Sequence, residues 1–578
     1  MKNRSRKAEL LIEGMSKKLN RQIVGSLVGC VHCGMCTESC HYMLANPDDP
    51  TYAPAYKADK MRKIFKRHFD WTGRVLPWWV GAKSVFTDEE LEELKDIAFG
   101  KCTNCRRCTI NCPMGVDFAT FNRTMRGLLV SVGIMPEGVA VVSKDQWEIG
   151  NQMGVLQEDY LDTLEWMEEE MQMELEDDTA KIPIDKKNAN VLYTINPREI
   201  KYDPRTIANA AKIFHVAGED WTMPSEGWDM TNFGLFSGDD ALGGAVALRV
   251  YEKMKELKAN KIVISECGHG YRSTRCEGPN WSQTQQDFMM ESSVITMLDY
   301  IKQERIIVDK SKNDKTYTFH DSCNNARSCG LYEEPRELLN LVVDDFREMY
   351  PNRNENYCCT GGGGAMSMSE YTPRRLKSAK IKAEQLKATG ADVVVTSCHN
   401  CVDGLNDLIK HYKLDMEVTQ LVDLVADAMI IPEKPKEKVI EIEEPKKAEA
   451  KLPFEGKKIL VIDDEPDILV FFSSVLEDNG ATVLEANDGE EAIKIIENEK
   501  PDMITLDINM PGKDGGWVFE KLRRNPEIQD TKVCIITGRP ELRRLIYDRP
   551  VPPPEGYLDK PVDEKTLITN VKKILKII

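Results

Sequence analysis

The sequence predicts a multidomain chain in which α/β parts follow an α-rich, cysteine-bearing start. Three observations predict this. Sixteen of the 17 cysteines fall into two groups, eight from Cys30 to Cys112 and eight from Cys267 to Cys401, with Cys534 alone. From Asn190 onwards, short apolar runs such as Asp392–Thr396 alternate with helical patterns such as Tyr371–Thr389. Finally, Ile431–Gly456 reads IPEKPKEKVIEIEEPKKAEAKLPFEG, rich in Pro, Glu and Lys, and has the composition of a linker. The expected organisation is an α-rich domain over 1–135, an acidic helical connector over 136–189, an α/β domain of two related halves over 190–430, the linker over 431–456, and a doubly wound α/β domain over 457–578.

Length and composition narrow the function. The 578 residues suit three to five domains of ordinary size. A net charge of −18 argues against a nucleic-acid footprint. No apolar run approaches the length of a membrane span, and no signal-peptide core follows Met1–Lys7. The expectation is a cytoplasmic protein, in which any membrane link comes through a partner. So many cysteines without a leader point to metal or redox chemistry rather than to a disulfide scaffold. The run Glu158–Asp178 carries no Lys or Arg and is expected to be a solvated helix face, with docking of a basic partner as the alternative.

The first eight cysteines read Cys30-x2-Cys33-x2-Cys36-x3-Cys40 and Cys102-x2-Cys105-x2-Cys108-x3-Cys112-Pro113. This is the spacing of bacterial two-cluster ferredoxins, in which the fourth cysteine of each run ligates the other cluster. Two cubane 4Fe–4S clusters follow, one on Cys30, Cys33, Cys36 and Cys112, the other on Cys102, Cys105, Cys108 and Cys40. Zinc sites use separated pairs rather than even quartets. Two features depart from the pattern. His41 stands where proline is usual, and a long insert contains Trp71, Trp78 and Trp79. These aromatics are expected to pack on the cluster domain, with docking to a membrane subunit as the alternative.

The second group contains Phe319-His320-Asp-Ser-Cys323, Cys358-Cys359-Thr-Gly-Gly-Gly-Gly, and Ser397-Cys398-His399-Asn-Cys401, each expected on a loop after a strand. The glycines let backbone approach a bulky inorganic centre. Lys261-Ile-Val-Ile-Ser-Glu-Cys267-Gly-His269 parallels the last element, Phe233–Asp239 stands in place of the Cys-Cys-Gly loop, and Val191–Asn196 parallels the first without its cysteine. One half is therefore intact and the other degenerate.

The intact half resembles the CCG domain of heterodisulfide reductases. The resemblance implies a noncubane 4Fe–4S cluster on Cys323, Cys358, Cys359, Cys398 and Cys401 that cleaves disulfides. With the cluster domain and the degenerate half included, the chain resembles the DsrK subunits of DsrMKJOP membrane complexes. That implies electrons from a quinol pool through a DsrM-like cytochrome b subunit, and a DsrC-like small protein carrying a disulfide or trisulfide, in sulfur or sulfate respiration. Reducing a disulfide needs two electrons and two protons. His269, His320 and His399 are candidates for supplying protons, against a structural role for each. Cys267 is a candidate for facing substrate, with His269 beside it. Cys276 and Cys329 are expected to be buried thiols.

From Lys457, strands end in Asp463-Asp464, Asp507, Thr537 and, after Tyr557, Lys560. Three carboxylates at strand ends can hold Mg²⁺. This segment resembles the CheY-like receiver domain of response regulators. The resemblance implies that Asp507 is the phosphoacceptor, that Asp463 and Asp464 hold Mg²⁺ with the Asn509 carbonyl, that Thr537 and Lys560 contact phosphate, that Tyr557 switches, and that a histidine kinase is a partner. The leading reading is an iron–sulfur disulfide reductase subunit. The alternatives are an electron-transfer subunit for a flavin dehydrogenase of the lactate, glycolate or glycerol-phosphate type, and a redox-sensing regulator.

Overall fold

In the computed structural model the described residues are 4–432, 452–538, 546 and 551–577. Most of the expected linker thus lies outside them. They form two compact units. The first comprises residues 1–162, 180–197 and 208–431, the second 163–179, 198–207 and 432–578.

The first unit begins with helices whose starts are written in the sequence. Asn20 caps Arg21–Gly29 through Ile23 N at 2.9 Å, Thr87 and Glu90 form a capping box on Asp88–Lys95, and Asp117 caps Phe118–Val130. Phe118–Val130 is the central helix of this region. Phe121, Met125, Leu128 and Leu129 are buried in one core with Phe233, Phe236, Leu242 and Met368 from the following α/β region. The cysteine-bearing start therefore shares its hydrophobic interior with the domain after it.

The α/β region holds two parallel four-stranded sheets. In the first the order is Trp221–Thr222, Val191–Thr194, Lys261–Ile264, Met289–Ser292. In the second it is Asp345–Phe346, Thr316–His320, Val393–Thr396, Glu417–Thr419. Both have chain order 2-1-3-4, so the two related halves read from the sequence are two copies of one topology. Pairing sets Thr194 opposite Ile264 and His320 opposite Thr396. Counted from the third strand of each sheet, Glu266 occupies the place of Cys398, and His269 that of Cys401. Counted from the helix that follows, Cys267, directly before Gly268–Tyr271, stands where Cys398 stands before His399–Tyr412, so the degenerate half keeps one thiol at this turn.

The second unit contains a five-stranded parallel sheet in the order Thr482–Ala486, Lys458–Ile462, Met503–Leu506, Lys532–Thr537, Gly556–Asp559. Leu460 and Ile462 enter one core and Ile459 and Val461 another, because a strand covered on both faces is apolar at every position. Helix Gln157–Leu175 contributes its later turns to this unit. Trp166 packs against the second core and Glu169 pairs with Lys573 at 2.5 Å. Leu164, Met167, Met171 and Leu175 are buried, so the acidic run is one face of an amphipathic helix.

Candidate functional site

Each cysteine quartet of the first group surrounds its own cavity. One is lined by Cys30, Cys33, Cys36 and Cys112, the other by Cys40, Cys102, Cys105 and Cys108. The crossing of the fourth cysteine is thus built into the fold. His41 Nε2, on the second cavity, is buried and has no hydrogen-bond partner among the described residues. Four thiols around a cavity, with an unpartnered imidazole nitrogen on its wall, fit a sulfur-rich inorganic cluster. The first cavity lies near the surface, where Cys33 is exposed and Val31 and Met114 are 61% and 52% exposed. Trp71, Trp78 and Trp79 do not pack on the cluster domain as expected. They are 74%, 75% and 80% exposed, since the short helix Trp71–Val75 and the turn after it project the rings outward.

The five cysteines of the intact half converge from three loops. Cys323 begins a π-helical turn, Cys323–Ser328, and Cys398 precedes helix His399–Tyr412. Cys359 Sγ lies 3.2 Å from Cys401 Sγ. Cys358 accepts a bond from Thr360 N at 3.2 Å. Thiol hydrogen bonds link Cys358 to Cys323 and Cys398 to Cys401. Cys358, Cys359, Cys398 and Cys401 are buried, and Cys323 is half-buried. His320, Cys359 and Cys401 offer ligand atoms within 4.8 Å of one another. Such a buried, soft-donor set suits iron bound through thiolates.

Sequence reasoning missed how this pocket joins the second quartet. Thr103 Oγ1 lies 3.5 Å from Cys358 Sγ. A Cβ on Gly363, whose φ is +67°, would stand 2.4 Å from the Thr103 carbonyl oxygen, and one on Gly361 would stand 2.0 Å from that of Asn400. The close approach made by these two glycines is to neighbouring backbone. Arg126, fully buried, donates to the carbonyls of Cys102 (2.6 Å) and Gly363 (2.7 Å), and also to those of Ala98 and Phe236. Arg327 donates to the Cys105 carbonyl at 2.7 Å.

A polar relay also escaped the sequence. Lys382 is buried and donates to Asn356 Oδ1 at 2.7 Å, and Asn356 Nδ2 lies 3.2 Å from His320 Nδ1. The lysine fixes the Asn356 amide, which presents N–H to Nδ1, so a neutral His320 carries its proton on Nε2. Nε2 is buried without a hydrogen-bond partner among the described residues. Burial, and then the Lys382 charge, hold His320 well below the ordinary imidazole range. Burial also pulls the Lys382 ammonium down to about 7. Asp321, paired with Arg336 by two bonds of 2.8 Å, secures the turn that leads to Cys323.

Cys267 is buried, with Asn196 Nδ2 and His269 Nδ1 each 3.3 Å from its sulfur. His269 also meets Asn400 Nδ2 at 3.4 Å and the Phe236 ring at 4.9 Å. His399 donates its backbone N–H to the Glu266 carbonyl. The Glu266 carboxyl, pushed up to about 8 by burial, accepts from Leu421 N and Val422 N.

In the second unit Asp463, Asp464 and Asp507 present oxygens within 4.8 Å of one another. Lys560 Nζ lies 2.7 Å from Asp507 and 2.8 Å from Asp463. Asn509 donates its N–H to Asp507 Oδ1 at 3.0 Å. Thr537 is buried at the end of the strand beside Gly556–Asp559. Three clustered carboxylates beside one ammonium fit a divalent cation and phosphate oxygens.

Three family descriptions match the chain. Residues 26–116 match the 4Fe-4S dicluster domain, 317–406 the cysteine-rich domain, and 459–572 the response regulator receiver domain. Among curated proteins it is 26% identical to "Hdr-like menaquinol oxidoreductase iron-sulfur subunit 2" of Archaeoglobus fulgidus, over 76% of this chain and 87% of that protein. It is likewise 26% identical to a dihydromethanophenazine:CoB–CoM heterodisulfide reductase subunit of Methanosarcina mazei, over 72% of this chain and 97% of that one. This chain is a homologue of heterodisulfide-reductase-like iron–sulfur subunits, with a response regulator receiver domain at its C-terminal end. The receiver is 31% identical to protein PilH of Pseudomonas aeruginosa, over 20% of this chain and 97% of PilH. No helix among the described residues is long and apolar enough to cross a membrane.

Proposed function

We propose that this homologue takes electrons from a quinol-linked membrane cytochrome b and delivers them to a protein disulfide held at the five-cysteine pocket. The observation that carries the reading is the contact of Thr103 with Cys358, which sets the second quartet directly against that pocket. When bound, the two cubanes supply one-electron transfer and the five-cysteine cluster supplies a thiophilic iron centre. The exposed rim near Cys33, Val31 and Met114 is the expected entry side for electrons, and Trp71, Trp78 and Trp79 the expected contact with a membrane subunit.

The overall change is R–S–S–R′ plus two electrons and two protons giving RSH and R′SH. His320 holds a proton on Nε2 inside the pocket, and Asn356 and Lys382 keep that tautomer in place. Cys267 and His269, from the degenerate half, complete the wall near Asn400. A DsrC-like protein is the proposed substrate and a DsrK-like place in sulfur respiration the proposed setting. In the receiver we propose Mg²⁺ on Asp463, Asp464 and Asp507, with Asp507 phosphorylated by a histidine kinase.

Steady reduction of a protein disulfide with reduced viologen as donor tests the reading. Turnover in the native protein, lost in Cys358→Ser while the iron of the two cubanes remains, is the expected result. A cluster-loaded native protein without turnover would contradict it.

A further inference from the structure

Two cysteines that neither quartet nor pocket uses meet at the surface. Cys276 and Cys329, 53 residues apart, have their Sγ atoms 3.5 Å from each other. Cys276 lies in the π-helical turn Arg272–Glu277 of the degenerate half and is exposed. Cys329 ends the turn Cys323–Ser328 of the intact half, and is half-buried against a core containing Tyr271 and Cys267. The expectation that both are buried thiols is overturned for Cys276. Its turn faces solvent, while Cys329 stands behind it.

The charges around the pair distinguish the two sulfurs. Arg272 and Arg275 flank Cys276, and Arg272 is paired with Glu277 at 2.8 Å. The Tyr271 hydroxyl accepts from Arg275 and lies within electrostatic reach of both thiols. The Cys276 thiol is brought down to about 7, first by the hydrogen bond from Cys329 and then by the two arginines, against desolvation and Glu277. The same hydrogen bond, with burial, pushes Cys329 up. An exposed sulfur with thiolate character in front of a covered thiol is the arrangement that attacks a disulfide and then resolves the adduct.

We propose that Cys276 and Cys329 form a thiol–disulfide exchange site for a disulfide-bearing substrate, with Cys276 attacking and Cys329 resolving. The Cys276 thiolate bonds to one sulfur of R–S–S–R′, the S–S bond breaks, and R′S⁻ leaves with the electron pair. Cys329 then gives its proton to solvent and bonds to Cys276 sulfur, releasing RS⁻. The substrate has gained two electrons and, from solvent, its protons. The dithiol has lost two electrons and closed as a disulfide that ties the two halves together. This site goes beyond the five-cysteine reading and does not depend on it.

The test is thiol mapping on the anaerobic, cluster-loaded protein. Glutathione disulfide and insulin serve as separate probes, followed by alkylation and peptide mass spectrometry. In the native protein a Cys276–Cys329 cross-link is expected. In Cys329→Ser a mixed disulfide with glutathione should accumulate on Cys276, about tenfold faster than on Cys329 in Cys276→Ser. Cross-linking by glutathione disulfide alone assigns small disulfides, and cross-linking by insulin as well assigns protein disulfides. Both thiols staying free with either probe, or equal loading of Cys329 in Cys276→Ser, would overturn the proposal. The absorbance of the clusters, read in parallel, separates failure of this site from loss of the iron centres.

Discussion

Thr103 Oγ1 stands 3.5 Å from Cys358 Sγ, so the loop between Cys102 and Cys105 touches the loop that carries Cys358 and Cys359. The contact orders the three cysteine sites. The first quartet reaches the surface at Cys33 and shares Phe118 of its cavity wall with the second quartet, and the five-cysteine pocket adjoins the second quartet.

Gly363→Ala should break that order. The added methyl would stand 2.4 Å from the Thr103 carbonyl, on a residue whose φ is +67°. The loop must move away, at a cost of about 1–3 kcal/mol. Single-turnover transfer from reduced cubanes to the pocket should slow, with the cubane spectra intact. Transfer at the native rate would contradict the prediction.

Arg126→Met should destabilise the first unit by about 3–5 kcal/mol. It strands four carbonyls, three of them buried and that of Cys102 partly so, which now share one guanidinium. Arg126→Lys keeps the charge but lacks the planar fork, so it should recover only part of the loss. Denaturant midpoints of the three proteins check this.

Lys382 gives stability a pH slope of known sign. Burial brings its ammonium to about 7, whereas an unfolded chain keeps lysine protonated up to about 10.4. Between these values the unfolded chain binds the extra proton. Stability from this group therefore rises with pH across the window and is lost as pH falls back towards 7. In Lys382→Met that slope should vanish, as shown by paired denaturation series from pH 7 to 10.

In the receiver, acetyl phosphate with Mg²⁺ should add one phosphoryl group to the full chain at Asp507, and none in Asp507→Asn or after chelation. Lys560→Ala leaves Asp463 and Asp507 without the ammonium now 2.8 and 2.7 Å from them. It should lower the phosphorylated fraction several-fold, read by mass spectrometry.

Cysteine spacing carried much of this architecture, because thiol ligands of one cluster must recur at fixed short intervals. Thus the quartets around the two cavities were legible, as were the paired halves with their apolar strands. What was not legible depends on distant pieces meeting. Arg126 and Thr103 are unremarkable in a helix and a loop until Gly363 reaches them. Nothing in the helical pattern Tyr371–Thr389 marks Lys382, yet it lies on a face that packs inward. Cys276 read as a buried apolar thiol because burial of a lone cysteine is usual, and only the meeting of two turns shows it exposed and paired. Trp71, Trp78 and Trp79 read as packing residues for the same reason, and the chain's own folding leaves them outside.

The account rests most heavily on an iron centre held by Cys323, Cys358, Cys359, Cys398 and Cys401. The direct measurement is iron content together with EPR of the thiol-oxidised protein, with and without a protein disulfide. The account predicts about twelve irons per chain and a paramagnetic signal that responds to the disulfide and disappears in Cys358→Ser and Cys359→Ser. About eight irons and no such signal, or zinc in the pocket, would contradict it.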